Sequence, residues 1–443
     1  MRFLRLMLVA VALLAWGCSD DSGSSTTSSS GAGGSAGTGG ASSGGGEGGM
    51  AGGAGGEGGE GGTGATGGEG GGGGGTSTLD ALLDALRSDL QGTLQTQSDG
   101  DGWPAPVEAG HLFVSTDGNL TELAGDHDGW LGTAMTSDQG FWWLVLSVPA
   151  GSEYKFTDGN TFTADPWSRA YEHDSNGVMS MVMPTGAHLE RFLNVGDSSH
   201  VDRTVRIWVP TETPTHLLYM QDGQNLFDPQ AMWGGWQLDQ SVPAAMMVVG
   251  IDNSPARFDE YTHVQDDIGG LIGGSGDAYA DFVQTTVRGL VAARYGEPNR
   301  VGVMGSSLGG LISFHIAHRH AGAFDFAGSM SGTMGWGSMG LSGGQQNETM
   351  IERYAAAGHG TTKLYLDSGG AGNCVDSDGD GIEDDDPNGF DNYCENKQLE
   401  GVLVANGYVH DVDLWHWHEA NAPHNETAWA ARVWRPLQAF AGL

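Results

Sequence analysis

A serine between two glycines is the first feature of this sequence that could do chemistry. The segment RVGVMGSSLGGL contains Gly305, Ser307 and Gly309 in the pattern G-x-S-x-G. A predicted apolar strand precedes the pattern and a predicted helix follows it, which is the context of a nucleophile elbow. The segment therefore predicts a serine nucleophile. Ser307 stands centrally between the glycines and is the predicted residue, whereas Ser306 occupies the variable position.

Histidines near the end of the chain supply candidate bases, because a serine hydroxyl needs a neighbouring base to take its proton. His424, in EANAPHNETAWAARVW, follows the last predicted strand and precedes the last predicted helix. This is the base's position in the order serine, acid, histidine that accompanies such elbows. His416 and His418 lie two residues apart on one strand face. A two-histidine metal pair is one interpretation of them, and an ordinary strand face is the simpler one.

The elements that would carry these residues alternate between strands and helices. Strand-like apolar segments are THLLYMQDG, AAMMVVGID, RVGVMGSS, FDFAGSMSG, TKLYLDSG and VDLWHWHE, and helix-like segments lie between them. This alternation predicts an α/β fold, with a mostly parallel sheet that helices cover on both faces. The predicted domain covers residues 190–443.

Residues 78–189 show a different pattern. Leucines at helical spacing in TLDALLDALRSDL predict a short amphipathic helix. Short strand-like segments follow from about residue 105, broken by Asp-Gly and Gly-Asn turns, and they predict a small all-β sandwich. Its tryptophans could form a platform for a sugar, although packing is the simpler interpretation. These residues are Trp130, Trp142, Trp143 and Trp167.

Several motifs together resemble a known family. HLLYMQDGQNLFD, RVGVMGSSLGGLISFHIAHRH, LYLDSG and PHNETAWAARV occur in the order of the putative-esterase (esterase D-like) family of α/β-hydrolases. This family includes enterochelin, feruloyl and acetylxylan esterases and mycolyltransferases. The likeness covers roughly residues 190–443, and the region before it resembles the immunoglobulin-like domains that precede such enzymes. The resemblance implies an α/β-hydrolase preceded by a small immunoglobulin-like sandwich.

The resemblance also implies roles for individual residues. Ser307 resembles the nucleophile and His424 the general base. The oxyanion hole would use the backbone N–H groups of Leu308 and of Gln224, which lies in the DGQ turn. Asp222 would shape that turn and contact the substrate.

The acid is where the sequence departs from the family pattern. Relatives carry an aspartate or glutamate between a strand like LYLDSG and a helix like NKQLEGVL. Here an acidic insertion, residues 373–395, fills that interval. Asp391 keeps about the family's distance from the helix and is the predicted acid. Asp367 at the strand end, Asp386 and Glu400 are the alternatives.

The start of the chain is typical of an exported protein. MRFLRLMLVAVALLAWGC resembles a bacterial lipoprotein signal over residues 1–18, with Cys18 as the lipidated residue, and its apolar run is too short to span a membrane. An ordinary cleaved signal is the alternative.

Residues 19–77 are almost entirely Gly, Ser, Thr and Ala, which predicts a disordered tether. We expect an exported protein whose membrane contact is a lipid anchor in the bacterial envelope or at the cell surface.

The insertion NCVDSDGDGIEDDDPNGFDNYCE contains a calcium-loop pattern and resembles thrombospondin type 3 loops. The carboxylates at positions one, three, five and nine are Asp376, Asp378, Asp380 and Asp384. Gly381 occupies position six, where the loop must turn sharply. Pro387 stands at position twelve in place of a bidentate carboxylate, which Asp385 or Asp386 would have to replace. We expect a structural calcium ion here, with a solvated acidic loop as the alternative, and no cofactor for catalysis.

Two cysteines flank this insertion. Once Cys18 is assigned to the lipid, Cys374 and Cys394 remain, and a lone pair in an exported protein predicts a disulfide. The bridge would clamp the ends of the loop. Our hypothesis is that the loop positions Asp391 against His424.

The overall composition limits the partners. The net charge is −37, with 55 acidic against 18 basic residues, so no basic face is available for nucleic-acid phosphates.

Taken together, the motifs predict a secreted serine ester hydrolase that forms an acyl-enzyme. Its substrate would be a small-molecule or glycan ester, either carbohydrate-linked (feruloyl or acetyl) or a siderophore. Acyl transfer and peptidase activity are alternatives because the same triad serves each. A non-catalytic glycan-binding surface lipoprotein is another.

Overall fold

The computed structural model of the protein describes residues 78–340, 347–385 and 391–443. The predicted signal and tether, with Cys18, lie outside the described residues, as do Asp386 and Pro387. No helix within the described ranges is both long enough and apolar enough to cross a membrane.

The helices of the described residues are numbered in chain order. They are α1 (Leu79–Ser88), α2 (Leu90–Asp99), α3 (Arg257–Glu260), α4 (Gly276–Phe282), α5 (Arg288–Tyr295), α6 (Leu308–Arg319), α7 (Met350–Ala357), α8 (Tyr393–Ala405), α9 (Glu426–Arg432) and α10 (Trp434–Ala441). A π-helical turn joins α4 to α5 at Val283–Val287, and 3-10 turns cover Gly223–Asn225, Met232–Gly234 and Leu238–Gln240.

The strands are numbered in the same way. They are β1 (Ala105–Val107), β2 (Gly110–Ser115), β3 (Glu122–Gly125), β4 (Thr133–Ala134), β5 (Thr136–Asp138), β6 (Phe141–Leu146), β7 (Glu153–Thr157), β8 (Phe162–Thr163), β9 (Ala170–Asp174), β10 (Gly177–Met181), β11 (His188–Val195), β12 (Arg203–Val209), β13 (His216–Gln221), β14 (Met246–Ile251), β15 (Gln265–Asp267), β16 (Leu271–Gly273), β17 (Arg300–Ser306), β18 (Phe326–Met330), β19 (Lys363–Ser368) and β20 (Leu414–His418).

One long sheet organises the fold. Its strand order is β20-β19-β18-β17-β13-β14-β12-β11-β9-β10-β7-β3-β4, with β8 beside β7. The pairings from β20 to β14 are parallel, and those from β14 onward are antiparallel. The α/β architecture with a mostly parallel core sheet, predicted from strand–helix alternation, is confirmed.

The parallel strands are apolar along their length because helices cover both of their faces. All six residues of β14 are buried, as are five of the six in β13. One apolar core includes Val287, Leu311 and Leu399 from the helices on one face. A second core includes Trp429 and Phe440 from the last two helices on the other face. This burial fixes the register in which neighbouring strands pair, and the register determines which residues stand at the end of each strand.

Two sheets pack face to face in residues 105–181. The four-stranded sheet β1-β2-β6-β5 contributes Phe113 to a core that also contains Leu123 and Phe156 from the long sheet. Trp142 packs against this core, whereas Trp143 and Trp167 both pack against a separate core that α1 and α2 form with β1, β2 and β6. These three tryptophans therefore serve packing, and Trp142 lies on a different core from the other two. The comparison with immunoglobulin-like domains stays a prediction.

Strand β11 spans the boundary predicted between residues 189 and 190. It pairs with β9 on one side and with β12 on the other, so the same sheet continues across this point. Hydrogen bonding therefore joins the β-rich region to the α/β region through Leu189 and Glu190, which both pair with β9.

Candidate active site

Ser307 lies at a sharp turn between β17 and α6. Its backbone has φ 55° and ψ −126°, a conformation that residues with a side chain rarely adopt. The Ser307 N–H donates to the Met330 carbonyl at 3.0 Å, which ties the turn to the end of the neighbouring strand β18. Strand β17 ends at Ser306 and helix α6 begins at Leu308, so this is the strand–turn–helix geometry of a nucleophile elbow.

Both glycines of the motif lie in crowded surroundings, and Gly305 is required by the close approach of the backbone. A Cβ atom at Gly305 would lie 2.6 Å from the carbonyl carbon of Gly309, which no side chain can tolerate. A Cβ atom at Gly309 would lie 3.1 Å from Cβ of Gln221, at the end of β13. A larger residue at position 305 would therefore displace the backbone of the elbow, whereas one at position 309 would crowd the side chains of Gln221 and Asp222.

His424 lies in the segment between β20 and α9, and its imidazole contacts Asp391. The Nδ1 atom of His424 is 2.5 Å from Oδ1 of Asp391. Asp391 has no exposed surface, whereas 17% of the His424 side chain is exposed. The His424 ring also meets the ring of Trp429 edge to face, with centroids 4.9 Å apart. A buried carboxylate thus fixes the orientation of a partly exposed imidazole.

The other carboxylate oxygen of Asp391 is held by groups from three separate elements. Oδ2 accepts from the Ser331 hydroxyl at 2.7 Å and from the Gly369 N–H at 2.5 Å. The Arg432 guanidinium lies 3.5 Å from the same oxygen and donates to Ser331 Oγ at 2.8 Å. Ser331 follows Met330 directly, so the turn that holds Asp391 is continuous with the strand end that holds Ser307.

The alternative acids are placed elsewhere. Asp367 lies at the end of β19, where it pairs with Arg432 at 3.1 Å and accepts from the Tyr365 hydroxyl at 3.0 Å. Burial raises the pKa of Asp367 to about 6, although Arg432 opposes this shift. Glu400 pairs with His410 at 2.8 Å, and Asp386 lies outside the described residues. Among the described candidates, Asp391 is the one that the structure brings to His424.

The predicted oxyanion turn is tightly fixed. Asp222 has a left-handed backbone (φ 58°, ψ 49°), and its carboxylate accepts two bonds from Arg257, both at 2.8 Å. A Cβ atom at Gly223 would lie 2.6 Å from the backbone of Gly250, so the turn lies against β14. The Gln224 side chain accepts from the Asn253 N–H at 3.1 Å. The carboxylate of Asp222 is therefore engaged in holding the turn, and its predicted contact with substrate stays a prediction.

A small cavity of about 10 Å³ lies beside this turn, which is the space of one water molecule. Its lining residues are Asp222, Asn225, Asn253, Arg257, Ser306, Glu426 and Trp429. Glu426 is almost fully buried, and its Oε1 accepts from Asn225 at 3.4 Å. Within the described residues, Glu426 Oε2 has no hydrogen-bond partner. Burial raises the pKa of Glu426 to about 7, and the nearby Asp222 carboxylate adds to the shift.

The sequence of this region matches a family described as putative esterase over residues 198–439, which is more than half of the 443-residue chain. The chain belongs to this family. The predicted enzyme class, a carboxylic ester hydrolase, and the predicted α/β-hydrolase fold class are thereby confirmed. No curated protein matches the chain by sequence.

Solved structures similar to this esterase are distant from it. The enterobactin esterase of Shigella flexneri is 16% identical with a TM-score of 0.41, over 75% of this chain and 93% of that chain. The siderophore hydrolase EstB of Aspergillus nidulans is 17% identical with a TM-score of 0.38, over 57% and 94% of the two chains. MPT51 of Mycobacterium tuberculosis is 15% identical with a TM-score of 0.40, over 57% and 98%.

The acidic insertion of the esterase is closed by the predicted disulfide. Cys374 and Cys394 are bonded, with their Cα atoms 5.3 Å apart. Cys394 lies in the first turn of α8, and its N–H donates to Asp385 Oδ1 at 2.6 Å. Tyr393 N–H donates to the other oxygen of Asp385 at 3.2 Å. Asp385 thus caps the helix that begins two residues after Asp391.

The predicted calcium ligands are brought together in part. Carboxylate oxygens of Asp376, Asp378 and Asp380 lie within 4.8 Å of one another. Asp384 is not a member of this group; it accepts instead from the N–H and hydroxyl of Ser377. Asp376 accepts from the N–H groups of Gly379 and Gly381 at 2.6 and 3.0 Å, so it organises the glycine turn. Calcium binding stays a prediction.

The two histidines of β20 do not form a metal pair with a third ligand among the described residues. His418 Nε2 contacts the Gly370 carbonyl at 3.0 Å, and its ring stacks on Tyr393 with centroids 4.2 Å apart. His416 is partly buried, and desolvation lowers its pKa. The simpler interpretation, a packed strand face, describes this placement.

Sequence reasoning missed the groups that support Asp391. Arg432 and Ser331 are far from it along the chain and carry no motif of their own. The signal that was present is Arg432, which follows the apolar run AWAA at the end of the short helix α9, since a buried arginine requires a carboxylate partner. Glu426 was also missed, although it lies two residues after His424.

Proposed function

We propose that this esterase cleaves carboxylic esters with Ser307 as nucleophile, His424 as general base and Asp391 as the acid that orients it. The observation that carries the proposal is the hydrogen bond between Asp391 and His424, formed at the edge of the sheet where the elbow also lies. Ser307 follows β17 and His424 follows β20, and Asp391 lies between β19 and α8. The carboxyl ends of parallel strands share one edge, which is where such sites are built.

The geometry supports a two-step reaction. Ser307 Oγ attacks the ester carbonyl carbon while His424 Nε2 takes the hydroxyl proton, and Asp391 stabilises the imidazolium. The backbone N–H groups of Leu308 and Gln224 bind the oxyanion that develops on the carbonyl oxygen. Collapse of this intermediate breaks the C–O bond, and His424 gives its proton to the departing alcohol. Water then attacks the acyl-enzyme by the same path, which releases the acid and restores Ser307.

The proposed setting is outside the cytoplasm. A signal of the lipoprotein type and the tether of residues 19–77 would anchor the enzyme through Cys18 to the bacterial envelope or surface. There it would act on a small-molecule or glycan ester, such as a feruloyl or acetyl group on a carbohydrate or a siderophore ester. The family match supports an ester substrate, and the net charge of −37 argues against nucleic acid as a partner.

A covalent probe tests the nucleophile. Wild-type protein, Ser307→Ala and the matched control Ser306→Ala are treated with a fluorophosphonate, and the labelled peptide is identified by mass spectrometry. We expect labelling of Ser307 in the wild type and in the Ser306 variant, together with hydrolysis of short-chain esters. Loss of Ser307 should lower kcat by at least about 10³-fold. A Ser307→Ala enzyme as active as the wild type would refute the proposal, and an unlabelled, inactive wild type would favour a binding protein.

A further inference from the structure

Trp233 combines exposure with a strained backbone. Its side chain belongs to the exposed large apolar side chains of the described residues, with 58% of the residue's surface accessible. Its backbone has φ 55° and ψ 25°, in the left-handed region. A bulky residue is strained in this region, and glycine would avoid the strain. A loop that served only to connect elements would gain stability from glycine at this position, so the indole needs another explanation.

The first anchor of Trp233 joins it to the segment that carries His424. The hydroxyl of Thr427 donates to the Trp233 carbonyl at 2.6 Å. Thr427 is in the first turn of α9, three residues after His424. The backbone of Trp233 is therefore held at the rim of the candidate active site, and this bond leaves the indole uncovered.

The second anchor lies on the other side of the loop. The backbone N–H of Trp236 donates to the Asn225 carbonyl at 2.9 Å. Asn225 directly follows Gln224 of the oxyanion turn. The buried Trp236 ring lies 6.0 Å from the ring of Trp429, which in turn contacts His424. The loop is thus fastened to both the oxyanion turn and the histidine helix.

The residues after Trp233 make the loop rigid. Gly234 and Gly235 both have positive φ, 84° and 59°, and a Cβ atom at Gly235 would lie 2.3 Å from the Asp228 carbonyl. The Gln237 side chain donates to the Gly234 carbonyl at 3.1 Å. These contacts fix the backbone of the loop, so the position from which the indole projects is set before any ligand arrives. A recognition residue on a backbone fixed in advance binds with a smaller ordering cost than one on a flexible loop.

We propose that Trp233 is a substrate-recognition residue, on which a ring of the ester substrate stacks while its carbonyl group lies between Ser307 and the oxyanion turn. This inference rests on the proposed function and narrows its substrate to ring-bearing esters. The shared chemistry is a ring with an apolar face, which an aromatic acyl group and a pyranose alcohol both possess. Stacking on an aromatic ring contributes about 0.5–1.5 kcal/mol, which corresponds to a change of about two- to tenfold in affinity.

The test compares three esters under pH-stat titration with the full chain. Methyl ferulate carries the ring in its acyl part, an acetylated methyl xyloside carries it in its alcohol part, and ethyl acetate carries none. Trp233→Ala should raise KM for one of the ring-bearing esters about three- to tenfold with little change in kcat. It should leave kcat/KM for ethyl acetate within about twofold. Trp233→Phe should recover most of the loss, and Trp434→Ala, which removes another exposed tryptophan, should behave as wild type.

The pattern of losses shows whether Trp233 recognises a ring and which part of the ester carries that ring. The ring-bearing ester that shows the loss identifies the acyl or the alcohol part as the source of the ring. An equal loss on all three esters would show a structural role and overturn the inference, as would no loss on either ring-bearing ester. If the wild type hydrolyses none of them, the proposed function fails. Binding of ferulate and methyl xyloside to Ser307→Ala, with and without Trp233→Ala, then decides the inference by calorimetry: equal affinities refute it.

Discussion

His424 Nδ1 lies 2.5 Å from Oδ1 of Asp391, a carboxylate with no exposed surface. The other oxygen of Asp391 is bonded to Ser331 and Gly369, so the carboxylate cannot rotate away from the imidazole. With its Nδ1 bonded to Asp391, the imidazole directs Nε2 away from the acid. Among the three candidate acids that the structure describes, Asp391, Asp367 and Glu400, Asp391 is the one in contact with His424.

The first prediction concerns the acid itself. Asp391→Asn should lower kcat by about 10³–10⁴-fold with little change in KM, because an amide stabilises the wrong imidazole tautomer and cannot stabilise the imidazolium. Steady-state kinetics measure the effect, and circular dichroism checks that the variant is folded. Glu400→Gln, which alters a carboxylate that pairs with His410 instead, is the matched control and should stay within about twofold of wild type. An active Asp391→Asn enzyme would exclude Asp391 as the acid.

The second prediction concerns the pH dependence of stability. The pKa of Glu426 is raised to about 7 by burial and by Asp222, against the opposing effects of His424 and Arg257. The folded state therefore binds the Glu426 proton more tightly than the unfolded state. The stability this contributes is fully present below about pH 4.5 and is lost as the pH rises through 7.

Urea unfolding of wild type and Glu426→Gln across pH 4–8 measures this contribution. The glutamine mimics the protonated carboxyl at every pH. The free energy of unfolding of the wild type, relative to the variant, should therefore fall by up to about 3 kcal/mol between pH 4.5 and 8. Parallel curves for the two proteins over this range would contradict the raised pKa.

The third prediction concerns the disulfide. Cys394 lies three residues after Asp391, and Asp385 caps the same helix, so the bridge should restrain the acid. Opening a ring of this size costs about 3 kcal/mol of stability. Dithiothreitol should lower both kcat and the melting temperature of the wild type. The double variant Cys374→Ser/Cys394→Ser, already lower in activity, should not respond to the reductant. Unchanged turnover in both would show that the insertion does not position Asp391.

The fourth prediction concerns calcium. After treatment with a chelator, added Ca²⁺ should raise the melting temperature of the wild type and not that of Asp376→Asn/Asp378→Asn, because those carboxylates would supply the ligands. Asp158→Asn is the control, since Asp158 is also an exposed aspartate that caps a turn through Asn160 and Thr161. The control should respond as wild type does. Equal responses of all three proteins would mean that the loop is not the site, and no response would leave it a solvated acidic loop.

Patterns confined to a few neighbouring residues predict the local structure that is found: the turn at Ser307, the buried strands and the disulfide. The glycines around Ser307 predict the elbow because they report how closely the backbone passes itself, and that approach is local. The apolar segments that became β13, β14 and β17 predict buried parallel strands for the same reason. Cys374 and Cys394 could be paired by counting, since no other cysteine remained for either once Cys18 was assigned.

Relations between distant segments were decided by the tertiary structure. The sequence left Asp391 beside Asp367, Asp386 and Glu400, because the insertion hides the spacing by which an acid is usually recognised. Only folding brings Asp391 to His424 and gives Asp367 a separate partner in Arg432. The sequence likewise gives no sign that Trp233 is exposed or that its backbone is left-handed, because it contains only a tryptophan followed by two glycines.

The physical reason is the range of the interactions. A turn, a strand or a cysteine pair depends on the geometry of a short stretch or on simple chemistry, so residue types and spacing determine it. The role of a buried carboxylate depends on which charges and donors surround it, and for Asp391 those come from α9 and from the residues that directly follow β18 and β19. Their approach is set by the packing of the whole sheet, which no short pattern records.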